Sequence, residues 1–190
     1  MTITQEVIDT IKNRRNTKEF TDFEVQDEDI KMLLDAAVWA PNHRNTEPWR
    51  FVVVRKNAEI KSRIAEGLVS LQEQMSGTEL PEEHKQRICD GVITSPTLIF
   101  VFSLIGDTDE TTEENYGAVC CAIQNIQIVA ESMGLSVGWS TGRMSKISNL
   151  DAIFGTYKEE LKIAGVLTVG YAEPMPNKTR INYRELTKWF

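Results

Sequence analysis

An α+β sandwich is the fold that the sequence predicts, and three observations predict it. Two nearly continuous apolar runs, Pro96 to Leu104 (PTLIFVFSL) and Ile163 to Tyr171 (IAGVLTVGY), suit strands buried on both faces. Segments with apolar residues at helical intervals surround them, which gives helices packed on a sheet. No linker, repeat or low-complexity tract divides the 190 residues, so one domain over 1–190 with a real hydrophobic core is expected.

Each element has its own local reason. Thr2 and Gln5 have capping-box spacing, and Ile3, Val7 and Ile11 follow at helical intervals, so a first helix should run to the region of Lys12–Asn16. A second helix starts around Asp27. Its apolar residues Ile30, Leu33, Leu34, Ala37 and Val38 share one face, and Pro41 stops it. Trp49 to Arg55 (WRFVVVR) is rich in β-formers and reads as a strand. Ile60, Ile64, Leu68, Leu71 and Met75 mark a third helix opened by Asn57, and residues 82–90 add a short charged helix after Pro81. Thr111 and Glu114 form another capping box, ahead of Val119, Ile123, Ile126, Ala130 and Met133, with Gly134 as the C-terminal stop. That helix is apolar over more than one stripe and should be deeply buried. Val137 to Ser140 reads as a short strand and Ser148 to Phe154 as a short helix. After Pro174 the chain lacks the periodicity to build a core element alone.

Hydrophobic residues make up 41% of the chain and charged residues 26%, the balance of an ordinary globular protein. A net charge of -7 argues against general nucleic-acid binding, which needs clustered cations, but leaves room for a local anion site. Cys89, Cys120 and Cys121 form no CxxC pair, and an odd count makes no disulfide framework; core filling is the expectation for the adjacent pair. With His43 and His84 the only histidines, no Cys/His spacing fits a metal site. The N-terminus has no basic stretch leading into an apolar run, and Leu98 to Leu104 is too short to span a bilayer; no membrane partner is expected, and the cytoplasm is the default address. No nucleophile motif or triad is visible, so no catalytic side chain is assigned. Any redox chemistry must be carried by a cofactor.

Four segments hold polar residues that core and surface alone do not explain. Arg14, Arg15 and Lys18 place three cations within five residues at a helix end. Arg can grip a phosphate with a planar fork and Lys gives a compact charge; the same residues also suit the negative end of a helix dipole. Pro41 to Trp49 (PNHRNTEPW) is a polar loop between two prolines, rigid enough for a binding site, or else an exposed turn. Gly134 to Gly142 (GLSVGWSTG) is not a GxGxxG fingerprint, but its glycines allow backbone close to a flat ring, or simply make turns. Lys178 and Arg180 stand two apart and, in an extended segment, point the same way, toward one phosphate or as a basic tail.

In this order the four segments resemble the nitroreductase family. RRNTKEF stands where the family has an Arg-x-Ser cluster, with Asn16 in the place of Ser. APNHRNTEPWRF matches its helix-stop-strand loop, with Glu47 in the place of the usual Gln, and the Asn42-His43 form is similar to the family's small, YdjA-like branch. The Gly-Leu-x-x-x-Trp segment resembles the flavin-facing turn, and the final strand with Lys-Thr-Arg resembles the phosphate-binding end.

The resemblance implies a three-layer α/β/α sandwich with a central mixed sheet, helices on both faces and an intertwined homodimer holding FMN at the interface. Residues 174–190 would cross to the partner. By matching position, Arg14, Arg15 and Asn16 would contact the FMN phosphate and ribityl region, and Lys18 the pyrimidine edge. Pro41, Asn42, His43 and Asn45 would come from the other subunit. Ser140, Thr141 and Gly142 would lie by the ring, with a backbone N–H toward N5, and Lys178 and Arg180 would complete the phosphate site. The implied reaction is ping-pong hydride transfer from NAD(P)H, through flavin N5, to a small acceptor such as a nitroaromatic or quinone. Dehydrogenation or dehalogenation on the same scaffold, and a flavin store or sensor without turnover, are the alternatives. A lid is expected within about 72–90.

Overall fold

The computed structural model describes residues 2–155, 160–173 and 178–190. Thr2 caps α1 (Ile3–Asn13) by accepting from the Gln5 N–H at 3.2 Å. The reciprocal half of that box is not made, because the Gln5 amide donates forward to Asp9 at 2.7 Å. α2 (Asp27–Ala37) buries Ile30, Leu33 and Ala37 and leads through the Pro41 loop into β1 (Trp49–Val54). The helical pair α3 (Ile60–Ser76) and α4 (Glu82–Ile93) precedes β2 (Thr97–Leu104). α5 (Asp109–Ser132) then runs to β3 (Ser136–Ser140), and a 3-10 turn at Arg143–Lys146 leads to α6 (Leu150–Phe154). β4 (Leu161–Gly170) closes the sheet, and α7 (Tyr183–Leu186) stands in an exposed tail.

Two helix starts differ from the sequence expectation. α5 is capped by Thr108, which accepts from the Thr111 N–H at 3.1 Å, so the helix begins a few residues before the expected box at Thr111. Both are threonines followed by acidic residues, and only the chain path shows which one has the extended backbone of a cap. α3 opens after Glu59, with Asn57 in the preceding turn.

The strand order is β1-β2-β4-β3, with every strand pair antiparallel. The parallel component is one bridge, Asn16 to Val137, on the outer side of β3. β2 alternates strictly. Ile99 and Val101 face α2 and α5, where Leu33, Val119, Ile123 and Ile126 form one core. Leu98, Phe100 and Phe102 face α3, α4 and α6, where Ile64, Val92 and Ile153 form a second. This is the expected layering, with helices on both faces of a central sheet.

β4 is bulged. Val101 pairs with Gly165 and Phe102 with Ile163, leaving Ala164 as the extra residue. The bulge reverses the facing of the strand, so Ala164 packs in one core and Val166 in the other. Gly165 adopts φ +154, and a Cβ there would stand 2.4 Å from the Trp139 indole nitrogen. That nitrogen donates to the Ala164 carbonyl at 3.3 Å, which fixes the indole against the sheet.

α5 is buried on several stripes, as expected of its composition. Cys120 is half-buried, but Cys121 is exposed, so core filling fails for Cys121, which falls on the outer face of the same helix. None of the helices among the described residues is long and apolar enough to cross a membrane.

Candidate functional site

Residues 14–18 run alongside the edge strand β3. Thr17 N–H donates to the Val137 carbonyl at 3.2 Å, and the Asn16 side-chain oxygen accepts from the Trp139 N–H at 2.6 Å. Contact this close needs glycine at 138, where a Cβ would stand 2.2 Å from the Thr17 carbonyl oxygen. The segment thereby passes from one face of the sheet to the other, and a recess opens on each side of it.

On the α5 side lies a basic pocket of about 550 Å³, lined by Lys12, Arg14, Arg15, Gln124, Lys178 and Arg180 among others. It gathers Arg14 and Arg15 of the first sequence-predicted cation group with Lys178 and Arg180 of the second, although more than 160 positions separate them; Lys18 of the first group lines the other recess. Burial, then the nearby Arg180 and Arg15, push the Arg14 guanidinium below its usual pKa, while Glu131 pulls the other way. Like charges held this close leave the pocket with a positive excess, the condition an anion satisfies. Arg15 also donates to the carbonyls of Lys12 and Asn13 at 2.6 and 2.7 Å, so it serves the end of α1 as well.

On the α4 side lies a cleft of about 570 Å³, lined by Asn16, Lys18, Phe20, Gly138, Trp139 and Ser140, and closed opposite by Thr94, Ser95 and Pro96. Lys18 is exposed at its rim. Gly142 N–H donates back to the Ser140 Oγ at 3.1 Å, so that amide is engaged within the turn. Thr141 and Gly142 follow Ser140 out of the cleft, and Ser140 alone of the three lines it. The stretch 72–90 is the end of α3, a turn and most of α4. Lys85 pairs with Glu73 at 3.2 Å and Glu79 at 2.8 Å across that turn.

Pro41, Asn42, His43 and Asn45 are not brought to this cleft within one chain. Their loop enters β1, and β1 and β3 are opposite edges of the sheet. Three strand spacings separate such edges by roughly 14 Å. The loop is nevertheless built with care. Arg44, Asn45 and Glu47 have φ of 51°, 54° and 43°, a conformation that non-glycine residues adopt at a cost of about 1 kcal/mol or more each. Asn42 Oδ1 accepts from the Glu47 N–H at 3.0 Å. Thr46 Oγ1 donates to Asn115 Oδ1 at 3.0 Å, and the Asn115 amide donates to the Leu104 carbonyl at 3.2 Å. Asn115 is buried in α5, and the sequence patterns did not single it out. His43 stands 4.0 Å from Glu114. Among the described residues no cluster of His, Cys, Asp or Glu is placed to hold a metal ion.

The sequence profile of the nitroreductase family matches residues 11–171, which spans the cleft, the loop and all four strands. The chain belongs to the nitroreductase family. Among relatives, it is 26% identical over 168 residues to YfhC of Bacillus subtilis, whose name assigns it provisionally to the NAD(P)H nitroreductases; the match covers 88% of this chain and 85% of YfhC. Among solved structures, a nitroreductase-like family protein from Bacillus cereus superposes with a TM-score of 0.82 at 25% identity, covering 100% of this chain and 98% of that one. An iodotyrosine deiodinase bound to FMN and 3-iodo-L-tyrosine superposes with a TM-score of 0.70 at 22% identity, covering 93% and 95%. Proteins that share this fold thus differ in the reaction their names declare.

Proposed function

We propose that this nitroreductase-family protein is an FMN-dependent NAD(P)H oxidoreductase that acts as a homodimer. The observation that carries the reading is the pair of recesses on either side of residues 14–18, one lined by Lys12, Arg14, Arg15, Lys178 and Arg180 and one that sets Asn16, Lys18 and Ser140 beside Phe20 and Trp139. Their donor set suits the two ends of FMN. Arg14, Arg15, Lys178 and Arg180 would hold the phosphate by charge-assisted hydrogen bonds. Asn16, Lys18 and Ser140 would meet the ring and its linker, with Thr141 and Gly142 just beyond. The chemistry FMN supplies when bound is two-electron transfer, from NAD(P)H to a nitroaromatic, quinone or related acceptor in ping-pong order.

The protein's own part is binding, orientation and charge. Lys18 at the cleft rim offers a cation where negative charge gathers on reduction. Pro41, Asn42, His43 and Asn45 would be contributed by the second subunit, as the family resemblance implies, since their strained loop stands at the opposite edge of the sheet from its own cleft. Dehalogenation is the second reading, favoured by the fold shared with the deiodinase.

The deciding experiment is the visible absorption spectrum of the purified protein, with the released pigment identified. An oxidised-flavin spectrum and about one FMN per subunit support the reading, and turnover of NAD(P)H with a quinone or an iodinated phenol then separates the two reactions. A colourless protein that takes up no added FMN overturns it. Lys18→Ala is expected to lower the flavin reduction potential and slow reduction by NAD(P)H at least tenfold. An unchanged potential removes Lys18 from that role.

A further inference from the structure

Lys61 is 2% exposed on α3, in the core layer that packs against the cleft face of the sheet. Its ammonium donates to three backbone carbonyls, those of Ile93 and Pro96 at 3.3 Å and that of Ser95 at shorter range. These carbonyls belong to the end of α4 and the turn into β2. No carboxylate among the described residues pairs with this ammonium. The same turn supplies Thr94, Ser95 and Pro96 to the wall of the cleft. From the other side, Pro96 and Phe20 close on Gly170, where a Cβ would stand 3.1 and 3.0 Å from them.

The donor count matches the acceptor count. An ammonium has three N–H groups and no lone pair, so it serves three carbonyls at once. A shorter or uncharged side chain leaves at least one of these part-buried carbonyls without its lysine donor. The end of a helix also carries partial negative charge, which a cation beneath it offsets. Burial and the neighbouring Lys56 push the Lys61 pKa down to about 8, so the charge is kept at neutral pH against a real desolvation cost. A stretch of backbone is thus pinned by a buried cation directly behind the cleft.

We propose that Lys61 is a positioning residue that holds the 93–96 wall in the shape the cleft needs for its ligand. It touches no ligand itself and acts through Ser95 and Pro96. The inference rests on the reading that this cleft takes the FMN ring.

The test compares Lys61→Met with Ile64→Val, a neighbouring core change on the same helix. Two quantities are read in each, amide hydrogen exchange of residues 93–98 and the dissociation constant for FMN. Lys61→Met should speed exchange in that segment and raise the FMN dissociation constant, each at least tenfold, while Ile64→Val leaves both within twofold. Lys61→Gln, which keeps two N–H donors, should fall between, and it carries the same readouts if Lys61→Met does not fold. Unchanged exchange in the lysine variants, or equal changes in Ile64→Val, would overturn the proposal. If the wild-type protein takes up no FMN, the functional reading fails, and the exchange measurement alone decides whether Lys61 fixes the wall.

Discussion

At the residue scale, Gly138 shows how one position makes the site. Its missing side chain lets the 14–18 segment lie against β3, with the Thr17 carbonyl in the space a Cβ would take. A backbone oxygen cannot swing aside as a side chain can. Gly138→Ala is therefore expected to lower stability by about 3 kcal/mol and to weaken FMN uptake, measured by urea unfolding and by flavin titration. A variant with full stability and full uptake would show that the segment can shift at no cost. In the sequence this glycine stood out as one that lets backbone approach a flat ring or makes a turn; in the structure the group that approaches it is the Thr17 carbonyl, from a segment more than a hundred positions away. Lys61 and Asn115 were not legible at all. A lysine or asparagine in a helical pattern reads as solvated, and their burial depends on which carbonyls the rest of the chain brings to them.

At the element scale, α5 carries the clearest local lesson. Thr108 and Thr111 both suit a helix start, and the backbone selects Thr108 by giving it φ -132 and ψ 160. Thr108→Ala should cost about 1 kcal/mol, with Thr108→Ser restoring most of it; thermal or denaturant unfolding reads the difference. Equal losses in both variants would mean that the hydroxyl is not the cap. The strands were the most readable elements. The β2 run needed no alternation to be recognised, since both of its faces are covered. The β4 bulge was not readable, because a glycine within an apolar run does not announce which neighbour becomes the extra residue. That bulge matters to the shape of the cleft. It leaves room for the Trp139 indole, which lines the cleft.

At the scale of the whole molecule, the unfinished feature is apolar surface. α1 has a strongly amphipathic sequence, yet buries none of its residues; Ile3 is 81% exposed and Val7 51%. Trp39 near the loop, and Ile181, Leu186, Trp189 and Phe190 in the tail, are exposed as well. Surface of this kind usually marks an interface. It fits a second copy that brings the Pro41–Asn45 loop to the cleft of the first. Of the extension expected at 174–190, residues 174–177 lie outside the described residues, while Lys178 and Arg180 stand in the basic pocket of their own chain. The full chain is expected to sediment as a dimer. Removing residues 181–190 should shift it toward monomer and weaken FMN binding at least tenfold. A truncated chain that remains dimeric would place the interface elsewhere, on α1.

The sequence by itself determined the element types, the two buried strands and the identity of the cation groups, because periodicity, apolar runs and charge clusters are local properties of a chain. It also carried the order of motifs that marks the family. Only the tertiary structure decided that residues 14–15 and 178–180 share one pocket, that the Pro41 loop stands at the far edge of the sheet from its own cleft, and that Lys61 lies beneath the cleft wall. Those are relations between residues far apart in the chain. They follow from strand order and packing, which no local pattern encodes.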